Sequence, residues 1–337
     1  MRRLLVVGAT TMLTLAAVAC GDGAADDAAE PTATDSAPTT GPTTAAAPTT
    51  AAATTAAPTT AAPTTAATTT SPTDVPTQIV SLSPTHTEIL FAIGAGDQVI
   101  AVDDQSDFPK AADAVASGLS GFEPNVEAIA DYRPDLVVIA DDFTGLIDQL
   151  EPLDIEVFSG PTPTSIEDVY TQIEELGAVT GHVGEAAELV GQMQTDIDAA
   201  VADAPVFEVA PSFYHELDDT YFSVTSSTYI GQVYELYGLR NIADEAEDAA
   251  GGYPQLNAEF IISANPDLIF LADTKCCGQS AETVADRGGW RAITAVSNDG
   301  VIPLDDDIAS RWGPRVVDFV EAVGDALDRV AVSEAAN

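Results

Sequence analysis

The chain has 337 residues, with 54 Asp and Glu against 11 Lys and Arg and a formal net charge of −43. That length holds two ordinary domains. A polyanion of this kind lacks the basic surface that neutralises phosphates, which excludes nucleic acid and anionic headgroups as partners. Three cysteines are too few for a disulfide scaffold.

Arg2 and Arg3 precede an apolar run from Leu4 to Ala19. The run has the length of a signal-peptide core and falls short of the ~20 residues of a membrane span. Residues 1–19 therefore read as a signal peptide. Ala17-Val18-Ala19-Cys20 resembles a bacterial lipobox, with Ala17 where leucine is usual, and this would make Cys20 the lipidated first residue of the mature protein. The alternative is an ordinary signal peptide whose cleavage leaves a cysteine; both readings export the protein. After Cys20 the chain to residue 76 is almost entirely Thr, Ala and Pro. Without large apolar side chains it cannot build a core, and its prolines favour extended, solvated chain. Residues 20–76 read as an anchor plus a disordered tether, open to glycosylation.

Removing residues 1–76 takes away two arginines and six acids and leaves a body near −39. That body carries an internal repeat. Glu127 to Asp141 lies 132 residues before Glu259 to Asp273, and seven of the fifteen positions are identical, Pro-Asp-Leu and the closing Ala-Asp among them. Each copy reads as a short helix, a proline stop and a continuous apolar strand of the kind buried on both faces in parallel sheets. In the first half, a strand at Ile79–Leu82 leads into a helix at Thr87–Ile93 closed by Gly94. In the second, a strand at Val206–Phe213 precedes a helix at Tyr229–Tyr237 closed by Gly238. Further strands are predicted at Val99–Val102, Ile155–Phe158 and Val301–Leu304.

Ser165–Leu176 reads as a helix, followed by a glycine-rich break at Gly177, Gly181 and Gly184. A second helix at Glu185–Val201, with Leu189, Met193, Ile197 and Val201 on one face, is long enough at roughly 25 Å to bridge two lobes. The fold class is α/β: two Rossmann-like lobes from an internal duplication, joined by one long bridging helix, with a ligand cleft between them. The expected boundaries are 77–180 for the first lobe, 181–203 for the bridging helix and 204–332 for the second lobe.

With Ile79-Val-Ser-Leu-Ser-Pro-Thr-His-Thr-Glu88, the Pro-Asp-Leu strands and the bridging helix in place, residues 77 to 332 resemble the class III substrate-binding proteins of ABC importers. The resemblance implies a monomeric receptor, lipid-anchored on the extracytoplasmic face of the bacterial cell membrane, whose partners are a permease dimer with its ATPase. It also implies a bulky cargo such as cobalamin, a ferric siderophore or haem. By position in the repeat, Glu127 and Glu259 would dock onto arginines of the two permease subunits. A two-fold permease needs equivalent contacts from two pseudo-equivalent lobes. The plain reading is two solvated carboxylates at helix starts, where negative charge is favoured.

In open α/β sheets the ligand lies beyond the carboxyl ends of the strands. Those ends carry Asp103-Asp104, Asp141-Asp142, Asp273 and the run Asp305-Asp306-Asp307, with Arg311 and Trp312 beyond. The first strand of each lobe leads to a histidine, His86 or His215, the latter beside Tyr214. A cleft lined this way is negative and favours a neutral or cationic ligand, cobalamin or a ferric hydroxamate over haem. The opposing reading makes these aspartates ordinary caps at strand-to-helix turns. His86 and His215 with acidic neighbours could alternatively hold a bare divalent metal, although neither has a second ligand at metal-site spacing. Cys276-Cys277 beyond Asp273 reads as a vicinal disulfide near the cleft rim, or as thiols for a soft metal. Gly-x-Ser-x-Gly, Ser-x-x-Lys and phosphate-binding glycine loops do not occur in residues 77–337. A binding protein without a catalytic cofactor is therefore expected, ahead of a metal-dependent hydrolase or a surface sensor.

Overall fold

A computed structural model describes residues 75–246 and 250–336. The expected signal peptide, Cys20 and nearly all of the tether lie outside the described residues. The first lobe runs β1 (Ile79–Ser81), α1 (Pro84–Ala92), β2 (Val99–Asp103), β3 (Ala116–Leu119), α2 (Val126–Asp131), β4 (Leu136–Ile139), α3 (Leu146–Leu150) and β5 (Glu156–Ser159). Helices α4 (Ile166–Thr180) and α5 (Val183–Asp203) follow. The second lobe runs β6 (Ser212–Glu216), α6 (Tyr229–Glu235), β7 (Arg240–Asn241), α7 (Ala258–Ala264), β8 (Leu268–Leu271), α8 (Ala281–Asp286), α9 (Thr294–Ser297), β9 (Val301–Pro303), α10 (Asp306–Ser310) and α11 (Val316–Ala336). Both sheets are parallel, in the orders β3-β2-β1-β4-β5 and β7-β6-β8-β9. The chain is two parallel-sheet α/β lobes, as its duplicated pattern implies.

The repeat has a physical basis in each lobe. Asn125 and Asn257 cap α2 and α7, their side chains accepting from the backbone N–H of Ala128 and Phe260. After each helix a residue with positive φ, Arg133 at 53° and Asn265 at 50°, turns the chain into Pro-Asp-Leu. The aspartate then ties down the first strand of its own lobe. Asp135 accepts from the backbone N–H of Thr77 and Gln78, both at 2.9 Å, and Asp267 accepts from Ser212 N–H at 2.8 Å. The repeated motif thus sets the register in which Ile79 pairs Leu136 and Phe213 pairs Leu268.

Two expected elements are corrected. The strand placed at Val206–Phe213 begins only at Ser212, the residue held by Asp267, and Val206 and Val209 are 98% and 82% exposed. The glycine-rich break is narrower than expected. Gly177 lies inside α4, where a Cβ would stand 2.4 Å from Ala186 Cβ, so it serves close packing of α4 on α5. The turn is made by Gly181 alone, in the left-handed region at φ 80°.

Helix α5 buries Ala186, Val190, Met193 and Ile197 against α4 and α11. One apolar cluster runs without interruption from Ile79 and Leu90 of the first lobe, through α4 and α5, to Phe213, Phe270 and Phe319 of the second. The lobes share a core.

Candidate functional site

A cavity of about 350 Å³ opens at the carboxyl ends of β1, β2 and β4, a size within the range of small-molecule sites. Leu82, Ile139, Phe122 and Phe143 give it apolar walls, and Asp103, Asp141 and Asp142 line it with carboxylates. Ser310, Arg311 and Trp312 of the second lobe close the far side. The phenylalanines are 80% and 88% exposed, on loops after β3 and β4. Gly121 lets the wall approach closely, because a Cβ there would stand 2.3 Å from Leu82 O.

Arg311 and Trp312 are held from both lobes. Arg311 binds Glu88 at 3.0 Å, Asp107 at 2.9 Å and Asp307 at 2.8 Å, and Arg315 adds two further bonds to Glu88 at 2.8 and 2.5 Å. Glu88 is buried, so this charge-assisted cluster is a strong one. Trp312 Nε1 donates to Gln172 Oε1 at 3.0 Å, and its ring meets those of His86 and Tyr229 edge to face. Tyr229 in turn donates to Ser310 O at 2.6 Å.

Of the residues singled out in the sequence, Asp103, Asp141, Asp142, Arg311 and Trp312 come together around this cavity. Asp103 is buried, and its desolvation raises its pKa. Asp104 points to solvent and accepts only from Gln105. His86 lies beneath the cavity. It is the third residue of α1, fully buried, with Nδ1 2.8 Å from Ser83 Oγ. Burial lowers its pKa to about 4, against the opposing effects of Gln172 and Asp141, so it is a neutral packing partner of Trp312.

Four other candidates of the second lobe are corrected. His215 sits within β6, fully buried against Tyr234 and Phe319, and burial lowers its pKa to about 3. It borders the core and not the cleft. Tyr214 packs on Trp290 in a separate apolar cluster. Asp273 is fully buried, and Asp306 is spent on the backbone of residues 274–276. None of these four lines the cavity. The alternative metal pair fails as well, because His86 and His215 are both fully buried and neither lines the cavity, and no group of three potential ligands that could hold a metal occurs among the described residues.

Cys276 and Cys277 are free and exposed, their sulfurs 2.7 Å apart, and neither lines the cavity. Glu127 and Glu259 occupy equivalent exposed places in the first turns of α2 and α7. Sequence reasoning missed Phe122 and Phe143, although a large aromatic inside a turn-rich polar loop is a readable sign of a binding surface.

A family model described as periplasmic binding protein matches residues 79–308. An uncharacterised ABC transporter substrate-binding lipoprotein of Bacillus subtilis is 29% identical over 260 residues, covering 75% of this chain and 80% of that one. A cobalamin-binding protein of Halobacterium salinarum is 28% identical over 264 residues, covering 76% and 71%. Among solved structures, the periplasmic heme-binding protein of Roseiflexus superposes with a TM-score of 0.67 at 22% identity, covering 75% of this chain and 98% of that one. At that identity the likeness shows the fold. The family model spans more than half of the chain, and the chain belongs to the periplasmic binding protein family.

Proposed function

We propose that this protein is the extracytoplasmic receptor of an ABC importer for a corrinoid such as cobalamin, held at the cell membrane through lipidated Cys20. The chemistry of the cleft lining is the observation that carries this reading. It presents Phe122, Phe143 and Trp312 to an apolar face and Asp103, Asp141 and Asp142 to hydrogen-bond donors. A corrin ring is rimmed by neutral carboxamides whose N–H groups suit such acceptors, whereas the propionates of haem meet like charge. Among the described residues the lining also contains no His, Tyr, Cys or Met to coordinate a haem iron. The similarity to a cobalamin-binding protein along three quarters of the chain supports the same choice.

Glu127 and Glu259 supply the permease contacts in this reading. Each is exposed at the start of a duplicated helix, and exposed charges of this kind give register and steering more than affinity. The permease and ATPase supply the work.

Calorimetric titration of the full chain with cyanocobalamin, a ferric trihydroxamate and haemin tests the proposal. One cyanocobalamin should bind per chain, and Trp312→Ala should weaken it at least ~10-fold, in line with loss of an aromatic anchor in the cleft wall. Binding of the ferric chelate alone would replace the corrinoid with a siderophore, and binding of haemin alone would overturn the argument from the lining.

A further inference from the structure

The turn after β8 is unusually well fixed for an exposed segment. The carboxylate of Asp306 accepts from the backbone N–H of Thr274 at 2.8 Å, of Lys275 at 2.9 Å and of Cys276 at 2.9 Å, and from Thr274 Oγ1 at 2.8 Å. The ammonium of Lys275 bridges Asp305 and Asp307, both at 2.7 Å. Asp307 binds Arg311 at 2.8 Å, and Arg311 lines the cleft. At the tip of this turn stand the two exposed thiols with their sulfurs 2.7 Å apart.

We propose that Cys276 and Cys277 form a reversible dithiol–disulfide site reacting with low-molecular-weight disulfides, and that its state is transmitted through Lys275, Asp307 and Arg311 to the cleft. The thiolate of Cys277 attacks one sulfur of the disulfide RSSR and expels RS⁻, which takes up a proton. Cys276 then gives up its proton and attacks the Cys277 sulfur of the mixed disulfide, expelling the second RS⁻. Two protein thiols are oxidised by two electrons, and RSSR is reduced to two RSH. Cys277 leads because Cys276, whose N–H is bound to Asp306, has its thiol pushed up by partial desolvation, its neighbour's thiol and the charges of Asp306 and Asp273. Closing a ring across adjacent residues distorts the peptide between them, whose Cys277 N–H donates to Asp273 O at 3.2 Å, and so disturbs the neighbouring Cys276 N–H bond to Asp306. Lys275, one residue away, moves with it. The thiol chemistry is independent of the ligand, whereas the transmission rests on reading the cleft as the binding site.

The full chain is incubated with excess oxidised glutathione, quenched in acid, alkylated and digested with trypsin. Cleavage after Lys275 and Arg287 places both cysteines in one peptide, separate from Cys20. The expected peptide is lighter by two hydrogens and unalkylated, and dithiothreitol restores two alkylated thiols. A lasting glutathione adduct, or two thiols still open to alkylation, overturns the site. Hydrogen exchange over residues 305–315 reads the transmission: it should quicken at least twofold on oxidation, and not in Lys275→Met. Unchanged exchange in the oxidised wild type overturns the coupling and leaves the thiol site standing. Absence of cyanocobalamin binding would count against the corrinoid reading alone.

Discussion

The two lobes carry the same strand pattern and use its carboxyl end in opposite ways. Ile79 pairs Leu136 and Phe213 pairs Leu268, so Leu82 of the first lobe and Glu216 of the second stand at one place, as do Asp141 and Asp273. In the first lobe Leu82 and Asp141 line the open cavity. In the second, Glu216 is buried in a bidentate pair with Arg287, at 2.6 and 2.5 Å, and Asp273 is shut in beside it. Arg287 lies 4.6 Å above the ring of Trp290, so the segment from 274 to 290 caps the sheet. A duplicated sheet therefore supplied two potential ligand surfaces, and one was filled with protein. Among the described residues, the second lobe reaches the cleft only through Ser310, Arg311 and Trp312.

The sharpest way to break this contrast is to remove the plug. Arg287→Ala strands a fully buried carboxylate, and the expected loss of stability is about 3–5 kcal/mol. Denaturant unfolding measures it, and Glu216→Leu combined with Arg287→Met should recover most of it. A loss below ~1 kcal/mol would mean that the pair is solvated and the cap open.

The histidines give a smaller, pH-dependent effect. Both are held neutral, His215 near 3 and His86 near 4, while the unfolded chain takes up a proton near 6.5. Below that value the unfolded state binds more protons, so stability falls as pH drops. Between pH 7 and pH 5 each histidine accounts for a loss of about 2 kcal/mol. Relief of self-repulsion among the acids runs the other way, so the comparison is made with His215→Gln, which should lose about 2 kcal/mol less than the wild type over this interval.

Asp273 has the opposite sign. Burial first, then the Glu216 charge, raise its pKa to about 7, and both its oxygens are without partners among the described residues. Two carboxylates cannot bond to each other unless one carries a proton, and the orphaned oxygens fit a protonated Asp273 donating to Glu216. A raised carboxyl contributes stability that fades as pH climbs from about 4 towards 7. Asp273→Asn, which keeps the donor at all pH values, should therefore stabilise the protein at pH 8 by at least ~1 kcal/mol and much less at pH 5. Equal melting shifts at both values would place the proton elsewhere. The smallest effect belongs to Asp104→Asn, a solvated change expected to stay within ~0.5 kcal/mol in stability and to leave cyanocobalamin affinity unaltered.

What could be read in the sequence follows from how local each signal is. Pro-Asp-Leu announced both buried strands because proline, aspartate and an apolar run act within a few residues. The exposed stretch before Ser212 is apolar enough to mimic a strand, and only the distant Asp267 decides where pairing starts. His215 was misplaced because its surroundings, Tyr234 and Phe319, lie 19 and 104 residues away. The acidic strand ends were visible, but not which of them the 274–290 segment would cover. Trp312 and Arg311 were legible as an aromatic and a cation beyond the last strand, without the buried Glu88 that holds them.

The continuous core has one more consequence. A receptor whose halves are sewn together by α4, α5, α11 and the Glu88 ion pairs has little freedom to change its outline on filling. Its loaded and empty forms then differ chiefly in what shows at the mouth between Phe122 and Phe143. Whatever receives this protein must tell full from empty by touching the passenger itself.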